Sequence, residues 1–312
     1  MASSPRTVLI SGCSSGIGLE LAVQLARDPR RRYHVVATMR DLRKKGALEE
    51  AAGDALGKTL TVASLDVCSD ESVGQCLSCI PGQDVDVLVN NAGLGLVGPI
   101  EGLSVAAMQS IFDTNFFGAI RLVKAVLPSM KRRRRGHIVV VSSVMGLQGV
   151  VFNDVYAASK FALEGFFESL AIQLRQFNIY VSLVEPGPVV TEFEGKLLAQ
   201  VSSEEFPGTD PDTLHYFRDV YLPASSQLFR SVGQSPQAVV QAIVKVISAS
   251  RPPLRRQTNS RYSPLMVLKT VAPSGQLYVT VTHSLLFRWP RLLSLGIRCL
   301  ACGCLPTRVG PR

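Results

Sequence analysis

Short apolar runs rich in β-branched residues alternate with amphipathic stretches along most of the chain. The runs predict strands at Thr7–Ser11, Tyr33–Ala37, Thr59–Asp66, Val85–Asn90, His137–Ser142 and Tyr180–Glu185. The stretches predict helices at Gly16–Ala26, Val105–Met130, Ala157–Phe177 and Pro236–Ser250. Strands that alternate with helices need crossover connections, which produce a parallel sheet covered on both faces. The sequence therefore predicts an α/β fold with a doubly wound parallel sheet of the Rossmann type, whose ligand crevice lies at the carboxyl ends of the strands.

The alternating pattern breaks after Thr191. Residues 192–230 mix polar and aromatic side chains, as in a lid over a substrate site, and no further strand–helix–strand unit is recognised beyond Pro252 and Pro253. We therefore predict a single domain over residues 1–250, which includes the lid, and an extension over residues 251–312. The chain is 46% hydrophobic and 18% charged, which excludes a disordered protein. No uninterrupted apolar run reaches the roughly 18–20 residues that cross a bilayer.

The positive charge of the chain is concentrated at its end. The formal net charge is +9, and residues 251–312 contain ten of the 33 Lys and Arg residues but no Asp or Glu. The other 23 bases face 24 acids, so the body is nearly neutral. This distribution argues against nucleic-acid binding by the body and favours a tail attracted to an anionic membrane surface, such as the cytoplasmic leaflet. The basic run Lys131–Arg135 leaves a non-enzymatic localisation signal as a distant alternative.

A glycine-rich loop follows the first predicted strand directly and opens the first predicted helix. Glycines at this place let the backbone turn tightly and approach a pyrophosphate, which the N–H groups at the start of the helix then bind. The strand before the loop and the helix after it are the context that the motif requires. We therefore predict a dinucleotide site that includes Gly12, Ser14, Ser15, Gly16, Ile17 and Gly18.

The end of the second predicted strand indicates which dinucleotide is bound. Enzymes that use NAD place an acid there, about 20 residues after the glycines, to accept a hydrogen bond from the ribose 2′-hydroxyl. This chain has no acid at the tip of the strand, and Arg40 follows it. Because a guanidinium pairs with a 2′-phosphate, the sequence predicts NADP(H).

Several polar residues after the fourth and fifth predicted strands form a candidate catalytic group. Tyr156 and Lys160 are four residues apart and share one face of a helix, and Ser143 lies just past the fifth strand. A lysine ammonium lowers the pKa of a nearby tyrosine from ~10 toward neutrality. Tyr156 can then exchange a proton with a carbonyl or alcohol oxygen, to which Ser143 donates a hydrogen bond, while Lys160 also binds the nicotinamide ribose.

The combined motifs resemble those of the short-chain dehydrogenase/reductase family over residues 6–250. The resemblance rests on the glycine loop from Ser11, the segment from Asn90 to Gly93, Asn115, Ser143, the Tyr156-x-x-x-Lys160 pair and Pro186-Gly-Pro188; Ser11 stands where threonine is usual. The resemblance implies hydride transfer with Tyr156 as acid or base, and it gives Asn115 a role in a proton relay. It also implies that Asp66 lies near the adenine, that Asn91, Ala92 and Gly93 follow the cofactor, and that Val189 contacts the carboxamide.

Within the family, the stretch from Phe152 to Gly165 is similar to the estradiol 17β-dehydrogenase branch, and the chain with its tail resembles the retinoid-reducing members of that branch. The resemblance places Ala224 and Leu285 where a steroid enzyme has its anchoring histidine and glutamate. Losing both polar anchors favours a ligand that is polar only at its reacting end. We therefore expect NADPH-dependent reduction of all-trans-retinal to all-trans-retinol at Ser143 and Tyr156, with a 17β-hydroxysteroid dehydrogenase as the alternative.

The seven cysteines divide into two groups of interest. Cys76 and Cys79 lie in a predicted helix without a second ligand pair, which favours core packing over a redox or zinc role, so we expect no metal site. Cys299, Cys302 and Cys304 lie among leucines and arginines near the end and favour S-acylation of a membrane-associated tail. A tail helix docked on the body or on a second copy in a homodimer is the alternative. The terminal Val309-Gly-Pro-Arg312 resembles a sorting signal for the photoreceptor outer segment.

Overall fold

A seven-stranded parallel sheet forms the centre of the molecule. The computed structural model describes residues 4–260, 269, 274–289, 291–293 and 295–296. The strands are β1 (Arg6–Ile10), β2 (Tyr33–Met39), β3 (Leu60–Ser64), β4 (Val87–Asn90), β5 (Gly136–Val141), β6 (Ile179–Glu185) and β7 (Arg255–Gln257). They lie in the order β3-β2-β1-β4-β5-β6-β7, and each neighbouring pair is parallel. The predicted doubly wound α/β fold is confirmed.

Helices cover both faces of this sheet. They are α1 (Gly16–Ala26), α2 (Gly46–Ala52), α3 (Asp70–Ser78), α4 (Val105–Phe112), α5 (Gly118–Arg133), α6 (Asp154–Leu174), α7 (Glu192–Ser203), α8 (Pro211–His215), α9 (Leu222–Val232), α10 (Pro236–Ser248) and α11 (Gln276–His283). Apolar side chains of α1 and α10 pack on one face of the sheet, and those of α3, α5 and α6 pack on the other. Because both faces are covered, the strands are almost continuously apolar.

The sheet has one strand more than the six predicted from the sequence. Strand β7 pairs with β6 in register Leu183↔Arg255, and α10 is the crossover between them. The expectation of no strand–helix–strand unit beyond Pro253 is therefore wrong. The sequence did not predict this strand because Arg255–Gln257 is short and polar, as an edge strand can be when it has only one neighbour. The sheet thus extends into the segment that we assigned to the extension.

The long helix predicted at Val105–Met130 is interrupted in the structure. A π-helical turn at Asp113–Phe117 separates α4 from α5. Single π turns within helices are rare and often lie at functional sites, because the extra residue redirects side chains and backbone groups. The turn contains Asn115, which it directs into the interior. Helix α6 also begins at Asp154, three residues before the predicted start, so that Tyr156 is helical.

Residues 192–232 leave the sheet as the helices α7, α8 and α9, with a π-helical turn at Tyr216–Tyr221. Four aromatic residues, Phe152, Phe206, Phe217 and Tyr221, form a cluster that we call the lid cluster. The ring of Phe217 lies 5.1 Å from that of Phe152 and 5.2 Å from that of Phe206. Asn153 Nδ2 also donates to Tyr221 Oη at 2.7 Å. The predicted lid is thus packed against the loop that leads into α6.

The basic run Lys131–Arg135 makes contacts within the body. Arg133 and Arg135 both donate to Asp86 Oδ1, at 2.6 and 2.7 Å, and this carboxylate is nearly buried. The Arg134 guanidinium donates to the backbone oxygen of Gln176 at 2.6 Å. These contacts join the end of α5 to the amino ends of β4 and β5, so the run has a structural role.

The described part of the extension lies on the body. Helix α11 continues as a π-helical turn at Ser284–Arg288, whose Phe287 ring lies 5.1 Å from the ring of Tyr216 in the lid. Lys269 Nζ donates to the backbone oxygen of Leu147 at 2.6 Å, and the Tyr278 hydroxyl donates to that of Gly149. The extension thus contacts the lid and the loop that follows Ser143.

Some predictions about the tail lie outside the described residues, namely those on Cys299, Cys302, Cys304 and the terminal segment from Val309 to Arg312. Within the described ranges, no helix is both long and apolar enough to cross a membrane. The expectation for the earlier cysteine pair is half right, because Cys76 is buried in the core whereas Cys79 is exposed.

Candidate functional site

The candidate site lies where the strand order reverses. Strand β1 is flanked by β2 and β4, so the loop after β1 and the loop after β4 diverge at their carboxyl ends. The buried Ser11 hydroxyl joins them by accepting hydrogen bonds from the backbone N–H groups of Asn91 and Ala92, both at 3.0 Å. Asn91 Nδ2 returns two hydrogen bonds, to the backbone oxygens of Ser11 at 2.9 Å and Gly12 at 3.0 Å.

Two glycines are required by this close approach. Gly12 has φ +74°, and a Cβ atom there would lie 2.9 Å from Cα of Ala92. A Cβ atom on Gly18 would lie 2.2 Å from the backbone oxygen of Gly12 and 2.5 Å from Asn91 Nδ2. Any larger residue at either position would therefore separate α1 from the ends of β1 and β4.

The first turn of α1 is suited to an anion. The N-cap residue Ser15 makes no side-chain capping hydrogen bond, and no acid lies in the first turn, which contains Gly16, Ile17 and Gly18. The side chain of Thr191 approaches this turn, 3.7 Å from the place of a Cβ atom on Gly16. Because the first N–H groups of a helix lack partners within the helix and carry its positive dipole, the geometry fits the pyrophosphate of a dinucleotide.

The residues predicted to contact the adenosine half lie at the next two strand ends. Arg40 is exposed directly after β2, and Asp66 is partly buried two residues after β3. Thr38 Oγ1 donates to the backbone oxygen of Ile10 at 2.9 Å, and the N–H of Cys13 donates to the backbone oxygen of Thr38 at 2.8 Å. These bonds fix the end of β2 beside the glycine loop, so that Arg40 borders the dinucleotide crevice.

Asn115 holds the loop after β4 from the other side. Its Oδ1 accepts from the N–H of Leu94 at 2.7 Å, and its Nδ2 donates to the oxygen of Leu94 at 2.9 Å and to Ser159 Oγ at 3.1 Å. Ser159 in turn donates to the backbone oxygen of Tyr156 at 2.7 Å. Asn115 therefore joins the segment after Gly93 to the helix that carries Tyr156. Ser159 and Leu94 belong to this network but to none of the motifs, so sequence reasoning missed them.

Ser143, Tyr156 and Lys160 come together at the end of β5. Lys160 is 6% exposed, and its Nζ donates to the backbone oxygen of Val141 at 3.0 Å and lies 5.5 Å from the centre of the Tyr156 ring. Burial lowers the pKa of the Lys160 ammonium to about 8, although Glu164 acts in the opposite direction. The Ser143 hydroxyl accepts from the N–H of Met145 at 3.1 Å, which leaves its own proton available to an oxygen in the crevice.

Val189 lies on the far side of the crevice. It is 7% exposed and forms an isolated parallel bridge with Gln234. The preceding Pro186 contacts the loop that follows Ser143, because its backbone oxygen accepts from the N–H of Val144 at 2.9 Å. The structure therefore places every predicted site residue along the carboxyl edge of the sheet, from β3 to β6. Their individual roles stay predictions.

The shared role of Ser11 gives a stability prediction. We expect Ser11→Ala to lower the free energy of unfolding by about 1–3 kcal/mol, because two partly buried N–H groups lose their buried acceptor. Chemical denaturation of both proteins measures the difference. Ser14→Ala in the same loop is the control, since Ser14 is partly exposed and should change stability by less than about 0.5 kcal/mol. Equal losses in the two variants would contradict the role given to Ser11.

Two known proteins are similar to this chain in sequence over nine tenths of its length or more. Retinol dehydrogenase 8 of Homo sapiens is 82% identical over 312 residues, which is 100% of both chains. The 17-beta-hydroxysteroid dehydrogenase type 1 of Homo sapiens is 47% identical over 283 residues, 90% of this chain and 85% of its own.

Solved structures show the same architecture. A short-chain dehydrogenase from Streptomyces avermitilis superposes with a TM-score of 0.71 at 28% identity, covering 90% of this chain and 98% of its own. An actinorhodin polyketide ketoreductase with NADPH superposes with a TM-score of 0.69 at 26% identity, covering 83% and 98%. The family model for short chain dehydrogenases matches residues 6–202. The chain belongs to the short chain dehydrogenase family.

Proposed function

We propose that the protein reduces all-trans-retinal to all-trans-retinol with NADPH. The substrate assignment is carried by the 82% identity, over the whole chain, to human Retinol dehydrogenase 8. The chemistry is supported by the buried Lys160 ammonium beside Tyr156 at the end of β5. This pairing suits proton exchange with an oxygen held in the crevice.

In the proposed reaction, NADPH held by the loops after β1 and β4 would supply the hydride that the aldehyde carbon accepts. Tyr156 donates its phenolic proton to the aldehyde oxygen, which becomes the hydroxyl of the alcohol. Ser143 donates a hydrogen bond to the same oxygen and stabilises the negative charge that develops there. The ammonium of Lys160 stabilises the tyrosinate that is left, and it also binds the nicotinamide ribose.

NADP(H) is proposed as the cofactor because the chain's own residues suit it. The uncapped first turn of α1, together with Gly12, Ser14 and Ser15, would hold the pyrophosphate, and Arg40 would pair with the 2′-phosphate. Asp66 would lie near the adenine, Asn91 to Gly93 along the cofactor, and Val189 at the carboxamide. The related ketoreductase structure carries NADPH.

A retinoid suits the residues around the proposed substrate site. Ala224 in α9 and Leu285 in the turn after α11, which the resemblance places where a steroid enzyme has its polar anchors, offer no polar side chain, and the lid is built on apolar and aromatic side chains. A ligand with one polar end needs hydrogen bonds only from Ser143 and Tyr156 and an apolar surface elsewhere. The alternative, a 17β-hydroxysteroid dehydrogenase that acts on estrone and estradiol, is supported by the 47% identity to the human steroid enzyme.

A substrate comparison tests the proposal. With NADPH and detergent-solubilised protein, we expect all-trans-retinal to be reduced with a higher kcat/KM than estrone, because a steroid would leave its second oxygen unpaired in the apolar site. Absorbance at 340 nm and chromatography of the products measure both reactions. Faster reduction of estrone would favour the steroid alternative.

Tyr156→Phe distinguishes catalysis from binding in the same assay. It removes only the proton donor, so we expect retinal reduction to fall at least about 100-fold. Quenching of protein fluorescence by NADPH should persist, which would show that the fold is retained. Tyr180→Phe, an exposed substitution on β6, is the matched control and should have nearly normal activity. Unchanged turnover in Tyr156→Phe would overturn the mechanism.

Arg40→Gln tests the choice of cofactor. We expect the KM for NADPH to rise about 10- to 100-fold, because one charge-assisted contact with the 2′-phosphate is lost. The KM for NADH should change little. The control is Arg43→Gln, since the neighbouring Arg43 already pairs with Asp41 at 2.9 Å. A wild-type preference for NADH would refute the assignment.

We further propose that the extension attaches the protein to the cytoplasmic face of a membrane, in the photoreceptor outer segment. Trp289, Leu292 and Leu295 are exposed apolar residues, and Arg288 and Arg291 are exposed cations beside them. Such a mixture suits an element that lies in the membrane interface. Acylation of Cys299, Cys302 or Cys304 would supply the second signal that stable anchoring needs.

Liposome flotation of the full chain tests membrane attachment. Combining Arg288→Gln with Arg291→Gln should lower partitioning onto vesicles of phosphatidylcholine and phosphatidylserine roughly 30-fold, at about 1 kcal/mol per cation near the surface. Arg251→Gln combined with Arg256→Gln removes the same charge from exposed positions outside the segment and should have a smaller effect. Equal effects of the two pairs would contradict attachment through residues 288–295.

A further inference from the structure

A cluster of charged residues lies behind Lys160, on the side away from the crevice. Glu164 and Glu168 follow Lys160 on α6, Glu185 ends β6, and Arg255 lies on β7. Arg255 Nε lies 3.1 Å from Glu164 Oε2 and 3.5 Å from Glu185 Oε1, and Arg255 Nη2 contacts Glu168. Glu164 lies within the stretch from Phe152 to Gly165, and the other three residues lie outside the motifs quoted from the sequence.

Glu164 is held close to the loop that follows Ser143. It is 5% exposed and lies one helical turn after Lys160, on the same face of α6. A Cβ atom on Gly146 would lie 2.9 Å from Cγ of Glu164 and 3.1 Å from the backbone oxygen of Lys160. The turn that follows Ser143 thus packs directly on α6 between these two residues. Glu164 therefore lies in the interior directly behind the catalytic residues, not on the protein surface.

The two buried carboxyl groups differ in their contact with Arg255. Glu185 is fully buried, and among the described residues neither of its oxygens accepts a hydrogen bond, whereas Glu164 Oε2 accepts one from Arg255. Burial, and next the charge of Glu164, raise the pKa of Glu185 to about 7 against the pull of Arg255. With Glu185 neutral, the charges of Lys160, Arg255, Glu164 and Glu168 sum to zero. Burial also raises the pKa of Glu164, but the charge and hydrogen bond of Arg255 oppose this, so we take Glu164 as the ionised member of the pair.

The Lys160 ammonium needs such a partner. Taking an ammonium out of water disfavours its charged form, and the one hydrogen bond described for Lys160 goes to the neutral carbonyl of Val141. The other groups that face this part of α6 are the phenol of Tyr156, the hydroxyls of Ser142 and Ser143, Glu185 on β6 and Arg255 on β7. Glu164 and Glu185 are thus the two carboxyl groups that can offer negative charge while Tyr156 is protonated.

We propose that Glu164 is a positioning residue of the catalytic centre, whose carboxylate keeps the buried Lys160 ammonium charged while Arg255 fixes that carboxylate. The inference rests on the proposed function, because it assigns Lys160 to the catalytic centre. It adds that the seventh strand, through Arg255, takes part in setting the charge at the reacting end of the site.

Direct titration of Lys160 tests the proposal without any turnover. The full chain is labelled with ¹³C at lysine Cε, the Lys160 signal is assigned by its loss in Lys160→Arg, and its shift is followed against pH. We expect Glu164→Gln to lower the titration midpoint by about one pH unit, because an opposite charge close to the ammonium is lost. Glu164→Asp, which retains the charge, should restore most of the difference.

Glu168→Gln is the matched control. It removes a carboxylate that contacts the same Arg255 but is half exposed and lies two turns from Lys160, so the midpoint should change much less. An unchanged midpoint in Glu164→Gln, or equal decreases in the two variants, would overturn the proposal. Should Glu164→Gln fail to fold, ¹³C-glutamate titration of the wild type decides: Glu164 must ionise at a lower pH than Glu185, and the reverse order overturns it.

The pH profile of retinal reduction separates this inference from the proposed function. Removing a negative charge lowers the pH at which Lys160 or Tyr156 first loses a proton, so in Glu164→Gln the alkaline limb of kcat/KM should move down by about one pH unit. Activity at pH 6 should remain near that of the wild type, whereas a merely structural defect would reduce it at every pH. Absence of retinal turnover in the wild type would refute the proposed function and leave the Lys160 titration as it is.

Discussion

The hydrogen bonds between Ser11 and the loop after β4 fix the position at which the sheet changes direction. Strands β1 and β4 are neighbours, yet the chain leaves them toward opposite sides, so their ends would separate without a direct connection. The Ser11 hydroxyl and the Asn91 amide supply that connection with four hydrogen bonds. Because Gly12 and Gly18 allow the same loops to touch, the predicted phosphate site and the predicted proton-transfer site lie on one edge of the sheet.

The part of that edge at the end of β5 depends on a buried cation, the Lys160 ammonium. Lys160 reaches the end of β5 only because α6 lies directly on the sheet, and this packing also buries its ammonium. Burial and charge oppose one another here, since the ammonium is useful beside Tyr156 only while it is charged. The role that we propose for Glu164 follows from the need to hold this charge in an apolar interior.

Most of the fold could be predicted because β-branched runs and helical periodicity are strong local signals. The glycine loop and the Tyr156–Lys160 pair were equally visible, since their spacing is fixed by one turn or one helix. Features that depend on tertiary contacts were not. The strand at Arg255–Gln257 has no apolar pattern, the π turn around Asn115 interrupts a continuous helical pattern, and Arg255 reaches Glu164 from a distant segment. Local sequence carries no sign of these contacts.

The sheet continues beyond residue 250, where the end of the alternating pattern led us to begin the extension. Positive charge accumulates from Arg251 onward. However, Arg255 forms ion pairs with Glu164, Glu168 and Glu185, and Lys269 donates a hydrogen bond to the backbone oxygen of Leu147. Both contacts end on segments that flank Ser143 or Lys160. A cation that neutralises buried carboxylates cannot at the same time attract a membrane. Arg255 therefore belongs to the body of the protein, whereas Arg251 and Arg256 close to it are exposed and contribute to the surface charge of the extension.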